Sequence, residues 1–197
     1  MSVLDLTFWG NPILRKKCDS INDSLFGTPI LHEFGFSMIE TMNLASGVGL
    51  AAPQVGLTSR VLVMKLPDHK DSQPLIMCNP TLVSEHQLTS QATEGCLSMP
   101  GIQLPIYRSS GIVVQYRELT GKFVELELSG MDARVFLHEL DHLNGLMFID
   151  RVSRQLRREA ERLWEKFEAK RTLPSTRALP PSLAALQGPG IMSEMLR

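Results

Sequence analysis

His138-Glu139-Leu140-Asp141-His142 is an H-E-x-x-H sequence, and its reading governs that of the whole chain. It sits in a helical pattern that opens at Ser129, with Asp132 three residues on as a capping box, and closes at Asn144-Gly145, where glycine ends a helix. Four residues carry a helix through slightly more than one turn, so both imidazoles leave the same face at a separation one divalent ion bridges. Glu139 lies about 100° round from His138. From there its carboxylate can take a proton from a metal-activated water and deliver it to a leaving amine.

Two histidines do not complete a catalytic metal site, which takes three protein ligands and keeps one position open. No histidine follows His142, which removes the extended three-histidine pattern. A downstream glutamate or a cysteine remains. Cys96 is preferred for its setting in Glu94-Gly95-Cys96-Leu97-Ser98-Met99-Pro100, a loop-like stretch, while Cys78, beside Asn79-Pro80 at a strand end, stays open as the alternative. Cys18 reads as a small core residue. The three cysteines cannot all pair, which fits a reducing compartment.

Outward from the motif, 197 residues suffice for one domain with a substantial core, and 43% hydrophobic with 21% charged residues excludes both wholesale disorder and a disulfide-stapled miniprotein. A net charge of −1 gives no overall attraction to nucleic acid, so DNA is not an expected partner. No run approaches the roughly 18 apolar residues that span a bilayer. Met1-Ser2-Val3-Leu4-Asp5 lacks a secretory start. A cytoplasmic chain without membrane attachment is expected.

Thr28-Pro29 predicts an N-cap and first helical residue, with apolar positions at helical spacing over about 28–43. A glycine-rich stretch from Ser46 to Gly56 follows. Val61–Met64, Leu75–Cys78, Thr81–Val83, Ile112–Tyr116 and Phe123–Leu128 read as strands. A last helix is predicted over 153–171, with Leu156, Ala160, Leu163 and Phe167 as its apolar stripe. Residues 172–197 form a proline-punctuated tail, extended or poorly ordered, in which Leu183 to Leu186 can dock on the body.

Three segments together, Gly47-Val48-Gly49-Leu50-Ala51-Ala52-Pro53-Gln54, Glu94-Gly95-Cys96-Leu97-Ser98 and His138-Glu139-Leu140-Asp141-His142-Leu143, closely resemble in order and spacing the three motifs of peptide deformylases. The similarity covers about residues 3 to 152. It implies an α+β fold, mostly antiparallel sheet packed around the central H-E-x-x-H helix with a C-terminal helix, and a catalytic domain over 1–171. It implies a hydrolase that removes the N-formyl group from the N-terminal formylmethionine of new polypeptides, with Cys96, His138 and His142 on one metal ion, usually Fe2+ though Zn2+, Ni2+ or Co2+ suit such ligands. Metal-bound hydroxide would attack the formyl carbonyl with Glu139 as general base and acid. Gln54 and the Leu97 backbone N–H would steady the oxyanion. Gly49 would let the substrate backbone approach closely and pair in an extended form, Gly47 beside it would be a further substrate-binding residue where these glycines do more than form a turn, and Val48, Glu94, Val135 and His138 would border the pocket for the methionine side chain. Leu137 and Gln103 depart from the family, which commonly has glutamine and in some members arginine there. Asp141 reads equally as a carboxylate orienting a neighbour or as an exposed helix acid.

From Arg151 to Arg171 eight basic residues face four acidic ones, a local +4 that leaves −5 for the remainder. Arg154, Arg158, Arg162, Lys166 and Lys170 recur every four residues, a ridge of like charge. Either it is a solvated face or it meets an anionic partner, and the resemblance implies a weak contact with ribosomal RNA. A monomer is expected. The competing readings are a zinc endopeptidase and a non-catalytic metal-binding or ribosome-associated module. The first lacks its usual third ligand, and the second has no use for Glu139 and Gln54.

Overall fold

β-Branched and apolar runs bounded by proline and glycine bury one face best by pairing side by side, and short connections between such runs make that pairing antiparallel. The computed structural model describes residues 3–69, 71–169, 183, 186 and 187, and follows this logic. Helix α1 is Pro29–Leu44, α2 is Gly130–Leu143 and α3 is Arg154–Glu168. Strands β1 (Gly49–Ala51), β2 (Val61–Met64), β3 (Leu75–Glu85), β6 (Gly111–Arg117) and β7 (Phe123–Ser129) form a five-stranded sheet in the order β1-β2-β3-β6-β7. Strands β4 (Thr89–Cys96) and β5 (Met99–Ser109) form a separate two-stranded sheet. Every ladder between these strands is antiparallel. The α+β architecture read from the sequence is therefore the observed one.

Helix α2 lies against the five-stranded sheet, where Phe136, Leu140 and Leu143 join Leu62, Met77, Val114 and Leu128 in one buried cluster. A second cluster packs α1, through Leu31, Phe34, Met38 and Met42, against Leu50, Val55 and Val61. Leu183 and Leu186 of the tail are buried in this cluster. Ser59 Oγ also donates to the Leu186 carbonyl. Apart from Leu183, Leu186 and Gln187, the tail, with Lys170 and Arg171, lies outside the described residues. The third cluster joins β5, Cys96, Met147, Phe148 and the inner face of α3.

Several local expectations are corrected. The runs at 75–78 and 81–83 are one strand, because Pro80 falls at a register shift between Cys78 and Thr81 where no ladder N–H is needed. The stretch from Glu94 to Pro100 is a tight β4–β5 hairpin rather than a loop. On α3 the buried positions are Ala160 and Trp164, while Leu163 and Phe167 are exposed. A large indole buries more apolar area than a leucine one position away, and so it sets the helix rotation. Ser129 makes no capping bond to α2, and Asp132 faces a different partner.

Candidate metal centre

Each potential ligand comes from a rigid element. His138 and His142 project from one face of α2, and Cys96 ends β4 just before the hairpin turn. One donor atom from each lies within 4.8 Å of the others. Cys96 Sγ is 3.2 Å from His142 Nε2. One thiolate and two imidazoles at these separations match a tetrahedral site with a fourth position left for water or substrate. Burial, aided by nearby positive charge, holds His142 far below its ordinary pKa, so its imidazole is neutral with a lone pair to give. The donor set thus fits a divalent ion.

His138 is oriented from behind. Its Nδ1 lies 2.9 Å from Glu94 Oε2, which leaves Nε2 to face the cluster. Burial alone would raise the Glu94 carboxyl, but bonds from His138 and Arg108 overcome it and hold the group at about 2. Arg108 donates from Nε and Nη2 to the two Glu94 oxygens at 2.7 and 2.9 Å, and from Nη1 to Asp141 Oδ2 at 2.9 Å. Arg134 donates to Glu94 Oε1, to the Ile106 carbonyl and to Ser90. Asp141 also accepts from Arg151. It is therefore a buried bracing carboxylate and not an exposed helix acid.

Glu139 differs from these carboxylates. Its Oε2 is buried with no hydrogen-bond partner, and burial pushes the carboxyl up to about 7, opposed by the charges of His138 and Arg108. A carboxylate kept from permanent partners is free to accept a proton. Gly49 is what admits it, since a β-carbon there would sit 2.8 Å from Glu139 Cδ. Gln54 is 1% exposed in a 3-10 turn over Ala52–Val55. Its Oε1 accepts from Ala51 N–H at 2.8 Å, which aims Nε2 at Cys96 Sγ, 3.5 Å away. The N-terminal segment ties these parts together. Thr7 N–H donates to the Gln54 carbonyl and Trp9 N–H to that of Ser98.

A cleft of about 380 Å³ opens over the cluster, and every site residue named from the sequence lines it except His142, which is fully buried beneath. Its apolar walls are Val48, Leu97, Met131 and Val135. Glu94 lines the cleft, but its carboxylate is committed to His138, Arg108 and Arg134. Leu137 packs into the core, and Gln103 is exposed on β5 away from the cleft lining. Cys78 is buried between the sheet and α1, where burial pushes its thiol up to about 12, and takes no part. Arg108, Arg134 and Met131 were missed from sequence. Arg108 carried a signal, because it shares the inward alternation of Ile102, Leu104 and Ile106, and an inward arginine demands buried partners.

The model describing polypeptide deformylases matches residues 3–158 of this chain. A peptide deformylase of Thermotoga sp. is 44% identical over 148 residues, covering 74% of this chain and 84% of the relative. The crystal structure of a Legionella pneumophila peptide deformylase superimposes with a TM-score of 0.78 at 31% identity, covering 85% of this chain and 96% of that one. A Met-Ala-Ser-bound class I type b peptide deformylase of Acinetobacter baumannii gives a TM-score of 0.72 at 31% identity, covering 77% and 99%.

Proposed function

The chain belongs to the polypeptide deformylase family, metallohydrolases that remove the N-formyl group from nascent peptides, and on that footing we propose which of its residues do the work. Cys96, His138 and His142 hold one divalent metal ion, Fe2+ in the cell, with Zn2+, Ni2+ or Co2+ able to use the same thiolate and imidazoles. When bound, that ion supplies Lewis-acid chemistry at the formyl oxygen and acidifies water.

The protein's own residues carry the remaining steps. Glu139 accepts a proton from the attacking water at its unpartnered carboxylate and returns it to the amine nitrogen, so that formate and a free N-terminus leave. Gln54 Nε2–H and the Leu97 N–H donate to the formyl oxygen as negative charge grows there, a role supported by the way Ala51 fixes the Gln54 amide. Val48, Val135, Glu94 and the edge of His138 border the methionine side chain, while Gly47 and Gly49 give the peptide backbone room. The Met-Ala-Ser-bound relative supports an N-terminal methionyl peptide as the ligand class. The observation that carries the reading is the unpartnered Glu139 carboxylate beside the Cys96, His138 and His142 donors.

The test is an assay of formyl-Met-Ala-Ser and of an internal peptide with anaerobically purified wild type and Glu139→Ala, with bound metal measured in both. Deformylation should fall by about 10²–10⁴-fold in the variant at unchanged metal content. Internal cleavage would point to a peptidase, and an inert, metal-filled wild type to a binding module. We further propose a cytoplasmic monomer whose basic helix α3 touches ribosomal RNA weakly through Arg154, Arg158 and Arg162. Salt-dependent co-sedimentation with ribosomes, lost on charge reversal, is the expected result.

A further inference from the structure

The cleft wall at Met131 is held by residues that no motif marks. The N–H of Met131 is among those a helix start leaves without an intrahelical acceptor, and Ser129 does not accept it. Asp68 does, from the connection between β2 and β3. Met131 N–H donates to Asp68 Oδ2 at 2.8 Å, across a sequence separation of 63. The exchange is mutual. Asp68 N–H donates to Asp132 Oδ1 at 3.0 Å, and Asp132 Oδ2 lies 2.7 Å from His69 Nδ1. This is a capping box in which half the groups come from a distant connection.

Two further features show that the arrangement is built in. Asp132 is 1% exposed, so without Asp68 N–H and His69 its carboxylate would be a buried polar group lacking these partners. Gly130 has φ +55°, and a β-carbon there would sit 2.6 Å from Asp68 Oδ2, so glycine is required both by conformation and by space. Both carboxylates also lie at the positive end of the α2 dipole. His138 lies two turns further along, held by its own helical bonds and by Glu94. Loosening the first turn therefore moves Met131 and leaves the ligand end of α2 in place.

We propose that Asp68 and Asp132 are positioning residues for the cleft wall, which by fixing the first turn of α2 hold Met131 in place and set how tightly the cleft grips the N-terminal side chain of the substrate. The proposal rests on the reading that this cleft receives the methionine side chain. The test compares metal-loaded wild type, Asp68→Ala and Asp68→Asn on formyl-Met-Ala-Ser and formyl-Leu-Ala-Ser, with metal content, thermal unfolding and the ¹³C-methyl signal of Met131, identified through Met131→Leu. Asp68→Ala should raise KM for the methionyl peptide about five- to tenfold with kcat within twofold, narrow the methionine-over-leucine preference and alter the Met131 signal. Asp68→Asn, which keeps a side-chain oxygen acceptor, should recover most of this. A lower melting temperature with unchanged KM and an unchanged Met131 signal would overturn the proposal, leaving only a structural cap. Loss of kcat or of metal would overturn it too, because the cap would then act on α2 as a whole. A wild type that does not prefer formyl-Met-Ala-Ser to formyl-Ala-Ala-Ser would remove the reading of the cleft itself, before any variant is compared.

Discussion

The arginines behind the candidate metal centre and those along α3 are the same chemical group in opposite settings. The side chains of Arg108 and Arg134 are 4% and 5% exposed, and their donors end on Glu94, Asp141 and strand carbonyls. Arg154, Arg158 and Arg162 stand exposed along one helix face, and among the described residues no ion pair holds them. Where water is excluded, a charge persists only inside a satisfied lattice, so it dictates the geometry of everything bonded to it. Where water is present, the same charge is screened, contributes little to folding and is available to a partner.

The sharpest way to break this contrast is Arg108→Met, which leaves Glu94 and Asp141 buried without their shared partner. Unfolding stability should fall by about 3–5 kcal/mol. Metal affinity, measured by chelator competition, should fall roughly 10–100-fold, because Glu94, left with Arg134 as its one arginine, holds His138 less firmly. A stability change below about 1 kcal/mol would mean that the lattice behaves like a surface pair.

Asp150 lies between the two regimes. It accepts from Arg15, Arg157 and Met147 N–H, and although burial would raise its carboxyl, those bonds hold it below the usual carboxylate range. A carboxyl lowered in the folded state stabilises above its unfolded pKa, and that contribution is lost as pH falls through the folded value. Asp150→Asn should therefore cost about 1 kcal/mol at neutral pH after solvent screening. The difference from wild type should shrink on acidification, as read by thermal unfolding at several pH values. A difference that grows on acidification would reverse the sign of this argument.

The smallest stability effect belongs to the ridge. Reversing Arg154, Arg158 and Arg162 to glutamate should move stability by no more than about 0.5 kcal/mol per site. Ribosome co-sedimentation should meanwhile lose its salt-dependent part. A large loss of stability would show that the ridge is structural after all.

Much of the site was legible because its chemistry is local. The spacing of His138 and His142 is a property of one helix, and the setting of Cys96 is a short segment, whereas Gln54 and Gly49 were marked only by the resemblance of their segments to peptide deformylase motifs. The bracing residues were not legible in the same way. Arg134 precedes His138 by four on the same helix, yet its partners Ser90, Glu94 and Ile106 come from the β4–β5 sheet. The α2 cap misled for a related reason. Ser129 with Asp132 satisfies the local pattern, but the residue that accepts the Met131 N–H is Asp68. On α3, helical spacing pointed to a stripe through Leu163 and Phe167, and the burial of Trp164 overturned it.

The sequence by itself determined the α+β alternation of elements, the face that carries both histidines and the small set of candidates for the third ligand, since each follows from periodicity or from the chemistry of a short run. Only the tertiary structure showed how Cys96 reaches those histidines while Cys78 is buried against α1, that Asp141 is buried, and that Asp68 caps α2. These depend on which distant segments share a dry interior, where an unpaired charge or N–H is costly enough to select its partner.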